Sequence, residues 1–282
     1  MRVGPVHIAV ALGCAILLQT GCGSSAYEEK FQASLDELKN EAPFRHLYDV
    51  ATPIPDTPLS LRLPKLFDRR ASALDAKTPD PKINTRPLNP DRLQPNFIKL
   101  PGYVRTYERF MPTIQNYDTS ACYCYIAVTD IDAGSQENLE ADLRNKLLET
   151  FDESRTEDAK RRGGPPVEKG VTEWKEIEVP TPAGGDNKLK LKKIVANGNQ
   201  TFRYYDPQGD GLNKLRHGKY ILYFYSNEHD RSDGQPIQFV LIGWRAEEIV
   251  ANHEEIELEK LGDAVAGTIA LDYSKLKKKT AD

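Results

Sequence analysis

Five closely spaced strand signals between residues 171 and 245 constrain the fold of this chain more than any other feature. Each signal is a run rich in β-branched, aromatic and other apolar residues. The connections are short, whereas parallel neighbours need a long crossover, so the strands should form an antiparallel meander. The predicted strands cover residues 171–179, 189–196, 200–206, 219–226 and 237–245.

Patterning within these strands predicts where each one lies in the sheet. Residues 220–225 and 237–244 are mostly apolar on both faces, so these strands should be central and covered on two sides. Residues 189–195 alternate apolar residues with lysine, which indicates a strand that lies near an edge of the sheet and has one solvent-exposed face. Between the second and third strands, Asn197-Gly198 is a favoured hairpin turn.

Three further strands and two helices complete this region. The strands are predicted at residues 97–100, 103–110 and 121–129. Ser135 is placed to cap a helix whose apolar stripe consists of Leu139, Leu143, Leu147 and Phe151. A final helix over residues 256–271 combines one apolar stripe with small residues that let it approach a sheet closely: Leu261, Val265 and Ile269, with Gly262, Ala266 and Gly267.

Together these elements predict one α+β domain over residues 97–273. It should be an antiparallel sheet of about five to seven strands sandwiched with helices on both faces. This order of elements resembles the sandwich domains of the PsbP family of photosystem proteins. The resemblance is one of topology, over residues 97–271. Because one fold hosts many functions, it implies a fold and no activity.

The first residues of the chain carry an export pattern. An apolar run from Val6 to Leu18 follows a single cation, Arg2, and ends in the sequence LLQTGCGSS. A run of about 13 apolar residues is too short to span a bilayer as a helix, but it has the length of a signal-peptide core. Residues 1–21 should therefore be a signal peptide that is removed.

The end of this segment resembles bacterial lipoprotein signals, whose recognition motif closes with a small residue and a cysteine. Gly21 and Cys22 match that motif, whereas Gln19 stands where the family has an apolar residue. The resemblance implies lipidation of Cys22 and attachment to a membrane of the cell envelope, outside the cytoplasm. The alternative is an ordinary cut near residues 23–26, which would leave a soluble secreted or periplasmic protein.

Three segments flank the predicted domain. Residues 22–42 should be the anchor and an amphipathic helix that packs on the domain. The alternative, a helix on the membrane surface, is opposed by acidic residues that anionic lipid repels. The apolar positions of this helix are Tyr27, Phe31, Leu35 and Leu38. Residues 43–96 are rich in proline and should be extended, with one strand at 59–63. Residues 274–282 form a basic tail.

The charge of the exported chain excludes one class of partner. Without Arg2 it carries 37 Lys and Arg against 42 Asp and Glu, a net charge of −5. A general nucleic-acid binder carries a basic stripe, so no nucleic-acid partner is expected. A second membrane anchor is not expected either, because no other apolar run approaches roughly 18 residues.

Two cysteines fall in the predicted domain. Cys122 and Cys124 lie two positions apart on a predicted strand, so their sulfur atoms should share one face, about 6 to 7 Å apart along the strand. A disulfide would distort the strand, because bridged β-carbons lie within about 4.5 Å of each other. We expect two small buried side chains. A metal or redox role would need partner residues that the sequence does not display.

The sequence of residues 206–211 resembles the first half of an EF-hand calcium loop. The match fails at Gln208, Asn213 and His217, which replace a ligand, an apolar residue and the bidentate glutamate. A surface turn between two strands is therefore the preferred interpretation. His217 and His229 flank a strand and should lie too far apart to share a metal.

No familiar catalytic motif occurs in the chain, which lacks a nucleophile elbow, a phosphate loop and a dinucleotide-binding glycine pattern. We assign no catalytic, cofactor-binding or metal-binding residue and no cofactor; Cys22, for lipidation, is the one site residue. The sequence favours an envelope lipoprotein with a binding or structural role, whose partners are the membrane and an envelope protein. The alternative is a secreted, hydrolase-like enzyme whose site is assembled from distant loops.

Overall fold

The chain divides into two compact units, Met1–Ala42 and Pro43–Asp282. The structure, a computed structural model, describes residues 22–65, 67, 95, 97–112, 119–130, 136–151, 170–184, 186–205, 211–229, 232, 235–253 and 256–275. The first unit contains helix α1 (Cys22–Glu41), which includes the predicted amphipathic helix and begins at Cys22. No helix in these ranges is both long enough and apolar enough to cross a membrane.

The second unit is an α+β structure with two antiparallel sheets. Its strands are β1 (Thr52–Pro53), β2 (Leu59–Leu61), β3 (Tyr103–Pro112), β4 (Thr119–Thr129), β5 (Lys175–Pro180), β6 (Lys188–Tyr205), β7 (Gly211–Ser226), β8 (Phe239–Glu247) and β9 (Ala270–Leu271). Its helices are α2 (Gln136–Phe151), α3 (Glu248–Ala251) and α4 (Leu258–Ala266). The large sheet has the order β3-β4-β8-β7-β6-β5, and the small sheet has the order β1-β2-β9. The predicted α+β class and the antiparallel meander are confirmed, but the meander has four strands, β5 to β8, because the strands predicted at residues 189–196 and 200–206 are the single strand β6.

Both faces of the large sheet are buried at its centre, where β7 and β8 are apolar at consecutive positions. Ile221 and Tyr223 belong to one core, Tyr220 and Leu222 belong to the other, and none of the four is more than 1% exposed. We call the side of Ile221 the first face and the side of Tyr220 the second face. Helix α4 packs in the core of the first face and α2 in that of the second. The predicted central position of these two strands is confirmed.

The segment that follows Pro43 covers part of the first face. Leu47, Ile54 and Leu61 are at most 1% exposed and belong to the same core as Trp244. The ring of Phe67 meets that of Trp244 edge to face, with 5.8 Å between centroids. The predicted strand at residues 59–63 is found as the shorter β2, whose partners β1 and β9 were not predicted because two-residue strands carry no readable pattern.

The hairpin predicted at Asn197-Gly198 is wrong. Strand β6 continues through both residues, and its register with β7 is unbroken, with Asn197 opposite Lys219 and Gly198 opposite Gly218. A Cβ on Gly198 would lie 3.1 Å from the ring of Phe151. The glycine therefore serves the close packing of α2 on the strand, and not a turn.

Two other predicted elements differ from the structure. Residues 97–100 form no strand; Ile98 and Leu100 are instead buried in the core of the second face. The final helix covers Leu258–Ala266 and not residues 256–271; Gly267 is its C-cap, and the chain then enters β9. At residues 97–100 the apolar pattern reflects burial without a strand, and at the end of the final helix part of the apolar pattern belongs to a short strand.

Replacing Gly267 by Ala should destabilise the protein. The backbone of Gly267 is helical, with φ −64°, so alanine would normally be favoured there. However, its Cβ would lie 2.1 Å from the carbonyl oxygen of Pro180, so α4 must move away from β5. We expect a loss of about 1–3 kcal/mol in the free energy of unfolding, measured by urea denaturation. Lys260→Ala, on the exposed side of the same helix, should change it by less than about 0.5 kcal/mol; equal losses would contradict this packing.

Candidate functional site

A groove at the β5 end of the large sheet is the candidate binding site. Its volume is about 860 Å³. Strands β5, β6 and β7 supply most of its wall, and α2 contributes its first residue. The lining residues are Gln136, Glu176, Ile177, Glu178, Lys188, Leu189, Lys190, Leu191, Lys192, Phe224, Ser226, Glu228 and His229.

Charged side chains of the groove face each other across the strands. Glu176 stands opposite Lys192, and Glu178 stands opposite Lys190, in the register of β5 and β6. The Nζ atom of Lys192 also lies 2.8 Å from both carboxylate oxygens of Glu140 on α2. Because the opposite charges partly neutralise each other, the groove suits a partner that offers both donors and acceptors better than a simple anion.

Several polar groups of the groove remain accessible. Lys188 and Glu178 approach to 3.5 Å, but their side chains are 54% and 50% exposed. An ion pair of this exposure contributes little to stability, so a partner can displace it at small cost. Lys190 and His229 are exposed as well. The arrangement can therefore make hydrogen bonds and ion pairs to a bound surface.

A second polar cluster connects α4 to the first face of the sheet. Lys193 Nζ lies 3.0 Å from Asp263 Oδ1, and Lys219 Nζ lies 3.1 Å from Glu259 Oε1. The hydroxyl of Tyr223 donates a 2.8 Å hydrogen bond to Asp263. Burial, reinforced by the charge of Asp263, raises the pKa of Tyr223 well above its usual range, so this hydroxyl stays protonated. We interpret the cluster as a structural contact that holds α4 on the sheet.

Arg245 is a buried cation that was not predicted from the sequence. It is 2% exposed, on the second face of β8. Its Nε donates to Gln200 Oε1 at 2.8 Å and its Nη2 donates to the carbonyl oxygen of Thr201 at 2.7 Å. The guanidinium also lies 4.6 Å from the ring centroid of Phe202. These contacts attach the part of β6 after Gly198 to β8. The sequence offered a signal, because Arg245 is the one charged residue of the strand predicted at residues 237–245.

Burial explains each resolved pKa shift among the described residues. It is the largest cause of the raised pKa of the Tyr103, Tyr220 and Tyr223 hydroxyls and of the Cys124 thiol. None of these four residues lines the groove. The shifts therefore mark the interior of the sandwich.

The two cysteines are buried on one face of β4, as their spacing predicts. Cys122 and Cys124 are both free, both 0% exposed and both in the core of the first face. Burial and the neighbouring sulfur of Cys122 raise the pKa of Cys124 well above its usual range. A thiolate is the reactive form of cysteine, so Cys124 is chemically inert in the folded chain.

Neither thiol should react while the protein is folded. In an exported chain that carries Ser at position 22, Cys122 and Cys124 are the only cysteines left once the signal is removed. A colorimetric thiol reagent should detect close to none of them in native buffer and both in guanidinium chloride, because reaction requires unfolding. Fast reaction of either thiol without denaturant would contradict the burial described here.

The structure describes only some of the other candidate residues. Cys22 is the first residue of α1. Residues 206–210 of the calcium-loop comparison lie outside the described ranges, whereas Gly211 begins β7. His217 Nδ1 lies 2.8 Å from Glu248 Oε2, and His229 lines the groove. Within the described ranges, no three His, Cys, Asp or Glu side chains are grouped so as to hold a metal ion.

No protein-family model and no curated protein matches this chain.

Proposed function

We propose that this chain is an exported bacterial envelope protein that is anchored by lipid on Cys22 and binds an envelope partner through its α+β domain. The observation that carries the proposal is the apolar run that ends in Gly21-Cys22. Two or more acyl chains on one cysteine give stable membrane attachment, whereas a single chain gives only marginal attachment.

The groove at the β5 end of the sheet supports the binding role. Glu and Lys side chains face each other across β5 and β6 there, and Lys188 and Glu178 form a half-exposed ion pair, a composition typical of the polar parts of protein interfaces. Strand β5 itself lies at the edge of the sheet and carries charges at Lys175, Glu176 and Glu178, which discourage strand addition. We therefore expect the partner to contact side chains in the groove and not to extend the sheet.

Site-specific photo-cross-linking tests this role in the intact protein. A photoreactive residue replaces Lys190 in the groove, and in a matched variant it replaces Lys260 on the exposed side of α4. We expect a discrete cross-linked species from position 190 in whole cells and none from position 260. The same product from both positions, or none from position 190 or from a second groove position at His229, would contradict partner binding in the groove.

A further inference from the structure

Helix α1 carries an exposed apolar stripe directly after the proposed lipidation residue. Tyr27, Phe31 and Leu38 are 69%, 53% and 63% exposed, and Leu35 is half-buried. At 3.6 residues per turn, these four side chains fall within about 80° of the helix circumference. The rings of Tyr27 and Phe31 stack, with 6.3 Å between their centroids. The helix therefore presents one continuous apolar strip.

The charges around this strip are of both signs. By the same helical geometry, Glu28 and Lys39 border one edge of the strip, and Lys30, Glu37 and Glu41 lie along the other. The remaining carboxylates belong to Glu29 and Asp36 and lie on the opposite side of the helix. A lysine beside the carboxylates of each edge suits a zwitterionic headgroup layer better than an anionic one, which repels the net negative charge of the helix.

The position of the strip along the chain favours the membrane as its binding surface. The helix begins at Cys22 itself, so no flexible linker separates the proposed anchor from the strip. Tyr27 follows five residues later, about 7.5 Å along the helix axis. Acyl chains on Cys22 would keep the strip at the bilayer surface, so its insertion becomes an intramolecular step with a high effective concentration.

We infer that α1 lies flat on the zwitterionic lipid surface that holds the anchor, with its four apolar side chains among the acyl chains. The inference rests on the lipid anchor proposed above. A single helix of 20 residues is marginal in water, and burial of one face stabilises it. The helix thus gives the chain a second contact with the membrane beside the proposed lipid anchor.

Fluorescence from two helix positions tests this inference in the full mature protein. Phe31→Cys on the strip and Glu29→Cys on the opposite side are each labelled with an environment-sensitive dye. Each labelled protein, purified in its mature form from cell membranes, is reconstituted into phosphatidylethanolamine and phosphatidylcholine vesicles with or without nitroxide-labelled acyl chains. We expect a blue shift and strong nitroxide quenching at position 31 and neither at position 29. Quenching should decrease when anionic phosphatidylglycerol replaces part of the lipid.

Vesicle flotation separates the two ways in which this test can fail. If the protein does not float with vesicles, the proposed anchor is wrong, and the inference is wrong with it. If the protein floats but position 31 is unquenched, the anchor stands and the inference is overturned. A blue shift without quenching also overturns it, because the strip is then covered by protein, either the domain of the same chain or a second copy.

Discussion

Cys22→Ser should move the mature protein from the membrane fraction to the soluble fraction. The substitution removes the only residue that the signal pattern offers for lipid attachment. The strip of α1 cannot replace it, because four apolar side chains bury less surface than the single acyl chain that already binds only marginally. The domain should remain folded, since Cys22 lies in the other compact unit. Fractionation with immunodetection measures the distribution, and circular dichroism checks the fold.

Ser25→Ala provides the matched control for this experiment. Position 25 lies three residues after the cysteine and has no part in the recognition motif, so this variant should stay in the membrane fraction. A Cys22→Ser protein that has lost residues 1–21 and still remains with the membrane at high salt would contradict the lipid anchor. Loss of both variants from the membrane fraction would also contradict the lipid anchor, because the effect would then not be specific to the cysteine.

Trp244→Ala should cause the largest loss of stability among single substitutions in the domain. Trp244 is 0% exposed and lies between Cys124 and Ile221 in the sheet register, where it packs edge to face on Phe67. Loss of the indole ring leaves a large cavity between the sheet and the segment after Pro43, which covers part of its first face. A buried Trp→Ala change costs about 3–5 kcal/mol, a large share of the roughly 5–15 kcal/mol that stabilises a typical domain.

Urea denaturation followed by circular dichroism measures this loss. Ile249→Ala is the control, because Ile249 is 60% exposed and its truncation should change the free energy of unfolding by less than about 0.5 kcal/mol. A loss below about 1 kcal/mol for Trp244→Ala would contradict the packing of Phe67 and its segment on this tryptophan. If the Trp244→Ala protein fails to fold while the Ile249→Ala protein folds, the result agrees with this packing.

The strands that form the centre of the sheet could be predicted because burial on both faces leaves a strong pattern. Residues 220–225 are apolar at every position, and the structure places them in β7 with neighbours on both sides. The cysteine pair was predictable for a related reason, since two-residue spacing on a strand determines that both side chains share a face.

Tertiary packing explains the elements that were predicted wrongly. Asn197-Gly198 has a strong local preference for a turn, but long-range pairing with β7 and the ring of Phe151 override it. The residue after α4, Gly267, lies so close to β5 that an added Cβ would meet the carbonyl oxygen of Pro180, and no local pattern reports this contact. The groove combines side chains from three strands and one helix, so its existence depends on a topology that the sequence only partly indicates.

Intact-mass spectrometry of the mature protein from its native envelope tests the central claim most directly. The account predicts a chain that begins at Cys22 and carries a diacylglyceryl group, with or without a third acyl chain on its amine. Fragmentation should place the whole added mass on the first residue. An unmodified chain that begins after Cys22 would show that the protein is secreted without a lipid anchor, and the account would be wrong.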